Sequence, residues 1–294
     1  MSKPAIGFIG LGLMGRAMAE HLLDQNYHLT VMANRSREAV EAIVARGGVE
    51  VSSAKEMAQA CDIIMLCMDT SHSVEGRIYG DDGILAGLSA DKVVIDFGTS
   101  LPASTVKIGG DLAGIGAYYL DAPIGRTPAH AREGMINLMC AGDKAGFDIA
   151  EETLQVVGDN VFYLGKLGSG HTMKLINNFF GMTVANAMAE SFAMADKMGV
   201  DRQQVYDVMS AGPLHSAMMD FVKGYAVDGD AAQLAFAIKN AAKDVGYYAQ
   251  MATDAGANSI MSSATLKALN AARDDGKGDE MVSQMYDFYT DQLG

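Results

Sequence analysis

The stretch Ile6-Gly7-Phe8-Ile9-Gly10-Leu11-Gly12-Leu13-Met14-Gly15 decides the fold of this chain. An apolar run typical of a buried strand leads directly into a G-x-G-x-x-G pattern, which opens a helical stretch. In such a turn the first glycine permits a tight bend, the second lets the backbone approach a pyrophosphate, and the third lets helix and strand pack closely. A plain glycine turn is the alternative, but the flanking strand and helix favour a dinucleotide site. Its predicted residues are Gly10, Leu11, Gly12, Leu13, Met14 and Gly15.

The first half of the chain alternates apolar runs with helix-like stretches. We predict strands at 5–9, 29–33, 63–68, 93–97, 118–122 and 136–140, and helices that include 14–23, 37–46 and 103–112. The runs are apolar throughout, as expected for strands that are buried on both faces. Strand–helix alternation of this kind predicts an α/β fold with a doubly wound, mostly parallel sheet of the Rossmann type.

The pattern changes after residue 165. Beyond Gly168-Ser169-Gly170 the chain runs to Met198 with no proline and one glycine, and apolar residues recur close to the helical period. At 1.5 Å per residue this helix would be roughly 40 Å long. We therefore expect a Rossmann domain over residues 1–165, and an all-helical domain over 166–294 that the long helix joins to it. The active site is expected in the cleft between them.

Composition narrows the possible partners. The 294 residues are 49% hydrophobic and carry a formal net charge of −14, which argues against nucleic acid or an anionic membrane as a general partner. No apolar run approaches the ~20 residues of a membrane span, and no signal peptide is visible. The three cysteines are an odd number, typical of reduced thiols in a cytoplasmic protein. No metal site is visible among the six histidines.

The end of the second predicted strand bears on cofactor choice. An NAD site usually places a carboxylate there on the ribose, whereas this chain has Asn34-Arg35-Ser36. Arg35 can pair with a 2′-phosphate and Ser36 can donate to it, so the sequence favours NADP over NAD. The alternative is that Arg35 is solvated and both cofactors are accepted.

Four motifs in order resemble the β-hydroxyacid dehydrogenase family, which includes 3-hydroxyisobutyrate dehydrogenase-like and 6-phosphogluconate dehydrogenase-like enzymes. They are the segment 6–15, a glycine-containing substrate segment over 121–134, a catalytic segment over 168–178, and a cofactor-side segment over 236–244. The resemblance covers essentially the whole chain. It implies an NAD(P)-dependent oxidoreductase that interconverts a short aldehyde and its hydroxy acid.

The resemblance gives Lys174 the catalytic role and Asn178 a role at the substrate. The two residues are four apart on the predicted long helix, hence on one face. The helix dipole disfavours a cation near a helix start, so the presence of a lysine at position 174 calls for a different explanation. A lysine whose pKa is lowered by burial or by a nearby positive charge can protonate the carbonyl oxygen as hydride arrives at carbon. The alternative is an ordinary solvated lysine.

Three further cofactor contacts are implied by the resemblance. In Asp96-Phe97-Gly98-Thr99 only Thr99 transfers, because Gly98 stands where serine is common in the family. Met68 ends a predicted strand, where its backbone could border the cofactor, although ordinary packing explains it equally well. Lys243 matches a family lysine that reaches the cofactor.

The substrate segment departs from the family pattern. Gly125-Arg126-Thr127 stands where most members have a serine and two glycines, and it resembles the segment of sulfolactaldehyde reductase-like enzymes. A guanidinium fork suits an anion with three oxygens, although Arg126 could instead pair with a carboxylate of substrate or protein. The expected substrate is a small anionic aldehyde or hydroxy acid. Sulfolactaldehyde is the leading candidate, and tartronate semialdehyde, 3-hydroxyisobutyrate and succinic semialdehyde remain as alternatives.

Two other function classes stay open at this stage. Imine reductases share the architecture but usually replace the lysine, and a non-catalytic NADP-binding scaffold would be expected to lose it. The methionine-rich and alanine-rich helical domain suits a homodimer or homotetramer.

Overall fold

A computed structural model describes residues 3–34 and 37–294. These residues form a sheet of nine strands in the first part of the chain. The strands are β1 (Ile6–Ile9), β2 (Leu29–Val31), β3 (Val49–Glu50), β4 (Ile63–Leu66), β5 (Val93–Asp96), β6 (Tyr118–Asp121), β7 (Ile124–Gly125), β8 (Asn137–Gly142) and β9 (Asn160–Tyr163). The order β3-β2-β1-β4-β5-β6 is parallel throughout and is that of a Rossmann sheet. Strand β8 then pairs antiparallel with β6 and β7, and parallel with β9.

Helices connect the strands and make up most of the second half. In the first half they are α1 (Leu13–Asp24), α2 (Glu38–Ala45), α3 (Ala54–Ala60), α4 (Ser71–Ile78), α5 (Pro102–Ala113), α6 (Pro128–Arg132) and α7 (Lys144–Val157). In the second they are α8 (Ser169–Lys197), α9 (Arg202–Ser210), α10 (Ala217–Ala226), α11 (Ile238–Asp254), α12 (Ile260–Ala272) and α13 (Met285–Leu293). Short turns of helix lie at Ile84–Ala86, Ala231–Leu234, Arg273–Lys277 and Val282–Gln284.

The sheet is buried on both faces, as the apolar strands predicted. Successive residues of one strand enter different hydrophobic clusters: Phe8 packs on one side and Ile9 on the other. Met65 and Leu66 of β4 divide in the same way. The α/β fold class with a parallel sheet, the six predicted strands and the long helix are therefore confirmed, with ends shifted by a few residues.

Three strands were not predicted from the sequence. Strands β3 and β7 have two residues each, too short to show any period. Strand β9 pairs with β8 alone, and its Phe162 is 52% exposed. An edge strand with an exposed aromatic residue lacks the continuous burial that marks the central strands.

The chain divides into two compact units, Met1–Lys174 and Leu175–Gly294, and the division falls inside α8. The second unit has a helical core of its own, which includes Phe192, Val222, Ile238 and Leu269. The predicted domain boundary at residues 165–166 precedes this helix and stays a prediction. None of the helices within the described residues is long and apolar enough to cross a membrane.

Candidate active site

The three glycines of the turn after β1 differ in how closely other atoms surround them. Gly10 has φ +97°, and a Cβ there would lie 2.2 Å from the carbonyl oxygen of Cys67. A Cβ on Gly15 would lie 2.0 Å from the carbonyl oxygen of Gly10. A Cβ on Gly12 would meet nothing within 4 Å. The fold itself therefore requires Gly10 and Gly15. At Gly12 the missing side chain instead leaves space for a ligand to approach the backbone of the turn.

The start of α1 suits an anion. Gly12 is the residue before the helix and has no side chain to cap it, and the first turn has no acidic residue. The Gly15 N–H bonds the Cys67 thiol, and the earlier N–H groups of this turn carry the positive end of the helix dipole, which favours an anion. Leu11 and Met14 pack partly against the core, whereas Leu13 is 80% exposed. These residues fit the diphosphate of a dinucleotide.

Two predicted cofactor residues line one pocket beside the second strand. Asn34 and Met68 border a cavity of about 250 Å³ together with residues of α4 that the sequence interpretation missed: His72, Ser73, Gly76 and Arg77. The Arg77 guanidinium donates to the Asn34 side-chain oxygen at 3.2 Å. Arg35 and Ser36, which were predicted to read the 2′-phosphate, lie outside the described residues.

The loop that carries Thr99 is held by hydrogen bonds to a buried carboxylate. The buried Asp96 carboxylate accepts the backbone N–H of Gly98 at 2.8 Å and the hydroxyl of Ser100 at 2.7 Å. Thr99 lies between these two anchored residues. A Cβ on Gly98 would lie 2.8 Å from the carbonyl oxygen of Met68, so the serine common in the family would require this loop to shift.

In the substrate segment the Arg126 side chain is already bonded to other groups of the protein. Its backbone has φ +73°, an unfavourable value for a side-chain-bearing residue. Its Nη1 donates to both oxygens of Asp159, at 3.0 and 2.9 Å, and to the carbonyl oxygen of Met135 at 2.6 Å. The side chain stays 29% exposed. The alternative of pairing with a protein carboxylate is therefore present in the structure, and the role of Arg126 toward a substrate stays a prediction.

The residues beside Arg126 complete this turn. Thr127 precedes helix α6, and its hydroxyl lies 2.8 Å from Nδ1 of His130. Gly125 ends β7, where it pairs with Asn137 of β8. The exposed Thr127 hydroxyl and the backbone of Gly125 are thus held by local structure on the surface of the first unit.

Lys174 is partly exposed in the second turn of α8. The start of this helix is fixed by Asp121, the last residue of β6, whose carboxylate accepts the N–H of Gly168 at 2.8 Å and that of His171 at 2.7 Å. A Cβ on Gly170 would lie 2.2 Å from the carbonyl oxygen of Met139, so the helix start also lies directly against β8. The backbone below Lys174 is therefore rigidly joined to the sheet.

In the second unit a single carboxylate joins two predicted site residues. The buried Asn178 donates from Nδ2 to Asp244 Oδ2 at 2.6 Å. Lys243 Nζ lies 3.0 Å from the other oxygen of Asp244. Asp244 was not predicted as a site residue, although it directly follows Lys243 in the cofactor-side motif. No cluster of histidine, cysteine, aspartate and glutamate in the described part of the chain could hold a metal ion.

Comparison with known proteins decides the family. Residues 5–165 match the NAD binding domain of 6-phosphogluconate dehydrogenase, and residues 168–289 match the NAD-binding domain of NADP-dependent 3-hydroxyisobutyrate dehydrogenase. The chain belongs to the β-hydroxyacid dehydrogenase family. It is therefore an NAD(P)-dependent oxidoreductase of the class that acts on the CH–OH group of a hydroxy acid.

Individual relatives differ in substrate. The chain is 30% identical to 3-sulfolactaldehyde reductase of Escherichia coli, over 93% of this chain and 92% of that protein. It is 28% identical to glyoxylate/succinic semialdehyde reductase 1 of Arabidopsis thaliana, over 93% and 94% respectively. The crystal structure of 3-hydroxyisobutyrate dehydrogenase from Salmonella typhimurium superimposes with a TM-score of 0.83 at 24% identity, over 97% of this chain and all of that one. The likeness of that structure supports the fold.

The surroundings of the glycines generate a prediction for cofactor binding. Gly12→Ala should leave the melting temperature nearly unchanged but raise the Kd for NADPH at least about tenfold, since the new methyl group enters the space for the pyrophosphate. Gly15→Ala should instead destabilise the fold by about 2 kcal/mol or more, because the methyl group meets backbone that cannot move away. NADPH fluorescence titration and thermal unfolding measure the two effects. Unchanged NADPH binding by Gly12→Ala would place the cofactor elsewhere.

Proposed function

We propose that the protein is an NADP(H)-dependent reductase of a short anionic aldehyde, and that sulfolactaldehyde is its leading substrate, reduced to dihydroxypropanesulfonate. One observation carries the proposal: a chain with an open dinucleotide turn keeps Lys174 at the start of α8, on a backbone fixed by Asp121. The lysine is the group that separates a reductase from a nucleotide-binding scaffold in this architecture.

The proposed chemistry needs one hydride and one proton. Bound NADPH supplies the hydride to the carbonyl carbon. Lys174 donates a proton to the carbonyl oxygen, which becomes the hydroxyl group of the product, and water restores the proton on the amine. Asn178, whose side chain is held by Asp244, would hold the substrate by a hydrogen bond. The turn from Gly10 to Gly15, with Met68, Thr99 and Lys243, would hold the cofactor.

The sulfonate assignment rests on Gly125-Arg126-Thr127 and on the 30% identity to the Escherichia coli enzyme. The hydrogen bonds to Asp159 and Met135 all leave from Nη1 of Arg126. A guanidinium has five N–H donors, so the edge formed by Nε and Nη2 is suited to a bidentate contact with a sulfonate. Asp159 then acts as the support that orients this edge.

Carboxylate substrates are the second candidates. Tartronate semialdehyde, 3-hydroxyisobutyrate and succinic semialdehyde carry an anion of two oxygens, which the same edge could bind. The 28% identity to glyoxylate/succinic semialdehyde reductase 1 supports this alternative. An imine reductase is disfavoured by the presence of Lys174, and a screen with a cyclic imine tests that class.

We also propose a homodimer or homotetramer in the cytoplasm. In the second unit Phe180, Met198 and Val208 are 69%, 71% and 78% exposed. A partner subunit would bury these side chains, which gains about 25 cal/mol per Å² of apolar surface removed from water. Light scattering of the purified protein determines the assembly.

The proton-donor role of Lys174 predicts a loss of turnover. Lys174→Ala should lower kcat by at least ~10²-fold, the usual scale for removal of a general acid. The Kd for NADPH should stay within about threefold, because the lysine is assigned to the substrate. Steady-state kinetics and NADPH titration measure both. Near-normal turnover by this variant would refute the mechanism.

The strand-end segment predicts cofactor choice. The unaltered enzyme should show a higher kcat/KM with NADPH than with NADH, and Asn34→Asp combined with Arg35→Leu should reverse the order, because a carboxylate binds the ribose hydroxyls and repels the phosphate. Arg77 contacts position 34 and would partly neutralise the new carboxylate, so adding Arg77→Met should strengthen the reversal. A preference of the unaltered enzyme for NADH would contradict the proposal.

The substrate anion is tested at Arg126. Loss of a charge-assisted contact costs on the order of 2–3 kcal/mol, so Arg126→Ala should lower kcat/KM roughly 30- to 150-fold for the true substrate and much less for a neutral aldehyde. If that substrate is a sulfonate, Arg126→Lys should restore little, because a point charge replaces a fork. The panel comprises sulfolactaldehyde, tartronate semialdehyde and a neutral aldehyde of similar size.

Asp159→Asn is the matched control for this panel. It removes the supporting charge and leaves the guanidinium in place, so it should affect the anionic substrates less than Arg126→Ala does. Equal losses for both variants with all three aldehydes would show that Arg126 only supports the fold. A preference of the unaltered enzyme for the carboxylate substrate would overturn the sulfonate assignment.

A further inference from the structure

A fully buried polar cluster joins three segments of the first unit that the proposed reaction uses. Its centre consists of Asp96, Asp121 and His171, each 0% exposed. Buried ionisable groups are costly unless they are paired and hydrogen-bonded. Packing of a hydrophobic core alone does not explain two carboxylates and an imidazole at one buried place. Each of the three groups contacts a different segment.

Asp96 holds the loop of the predicted nicotinamide contact. Its two oxygens accept the Gly98 N–H and the Ser100 hydroxyl, on either side of Thr99. Asp121 is the residue from which the substrate segment starts, and its oxygens accept the N–H groups of Gly168 and His171 at the start of α8. Each carboxylate thus fixes one segment by two hydrogen bonds.

His171 connects these segments. Its Nδ1 lies 2.7 Å from the hydroxyl of Thr105 in α5, the helix that follows the Thr99 loop. The same hydroxyl also lies 3.2 Å from the carbonyl oxygen of Leu101, one turn earlier in the chain. Nε2 lies 3.6 Å from Asp96 Oδ2 and has no hydrogen-bond partner among the described residues. The ring is therefore held through Nδ1 and faces both carboxylates.

The other titratable groups near this cluster are neutral. Burial raises the pKa of the Cys67 and Cys140 thiols to about 12 and raises the pKa of the Tyr119 phenol further above its usual value. Burial also raises the pKa of Asp121, and the nearby His171 and the two backbone N–H groups oppose that shift. The two thiols and the phenol therefore add no charge to the cluster at neutral pH.

We propose that His171 is a positioning residue for Lys174. The two are three residues apart on α8, so they share one side of the helix. His171 bonds to Thr105 and faces Asp96. These contacts fix how the start of α8 is rotated about its axis and how far it is shifted along that axis, relative to the Thr99 loop and the substrate segment. Lys174 is thereby aligned with the reacting carbonyl. The inference rests on the proposed role of Lys174 as proton donor.

The test compares substitutions that separate the two ring nitrogens. His171→Leu removes both nitrogens. His171→Asn keeps an amide near the position of Nδ1, and His171→Gln places its amide near the position of Nε2. Thr105→Val removes the hydroxyl that bonds Nδ1 and serves if His171→Leu does not fold. Thr153→Val is the matched control, because Thr153 is equally buried in α7 of the same unit and takes no part in the cluster.

His171→Leu should lower kcat roughly 10- to 100-fold, the scale of a misplacement near 1 Å, with the KM and the Kd for NADPH within about threefold. The basic limb of the kcat–pH profile should move, because the position of the Lys174 amine relative to its surroundings changes. His171→Asn should restore most of kcat, and His171→Gln should not. Thr153→Val should change stability only. An unchanged kcat and pH profile, or equal effects of Asn, Gln and Leu that follow the melting temperature, would overturn the proposal.

A second readout needs no substrate. Trace acetylation of the protein with acetic anhydride across pH, read by peptide mass spectrometry, gives the ionisation profile of Lys174, with the exposed Lys144 as internal reference. His171→Leu should move the profile of Lys174 and leave that of Lys144 in place. If Lys174→Ala stays active while this shift is seen, the proton-donor role fails, and the placement of Lys174 by His171 is supported without a catalytic consequence. If Lys174→Ala is inactive and no shift is seen, the positioning role fails.

Discussion

The carboxylate of Asp121 is the contact on which the rest of the arrangement depends. It lies at the carboxyl end of a central strand and accepts two N–H groups from the start of α8, across about 50 residues of sequence. A side-chain oxygen that accepts helix N–H groups is normally supplied by the residue just before the helix. Here the sheet supplies it, so the orientation of α8 is set by the position of β6. The substrate segment begins at the same residue, and its geometry is therefore tied to the helix that carries Lys174.

The sequence predicted what depends on periodicity and on motif spacing. Buried strands, the glycine turn and a helix of 29 residues all leave a local signature, and each was found close to its predicted place. Strand β3 did not, because two residues at the edge of a sheet carry no period. The family resemblance pointed to Lys174, Asn178 and Lys243, but the roles of these residues stay predictions.

The partners of those residues could not be predicted because they are distant in sequence. Asp159 lies 33 residues from Arg126, and Asp244 lies 66 residues from Asn178. A carboxylate has no local pattern that tells which cation or amide it will meet after folding. A weak signal did exist for Asp96 and Asp244, since Asp244 directly follows Lys243 and Asp96 stands three residues before Thr99. The left-handed backbone of Arg126 is likewise set by its tertiary contacts and not by any glycine in the sequence.

The empty space beside Gly12 has a consequence for how this fold changes over generations. Gly10 and Gly15 are kept by the need to fold, so they persist in any descendant that remains a stable protein. Gly12 meets no such backbone, so folding gives it only the modest N-cap preference of glycine over alanine, and a bound nucleotide gives the stronger reason to keep it. A descendant that abandoned its nucleotide would therefore drift first at this position, and the middle glycine becomes a record of whether the ligand is still under selection.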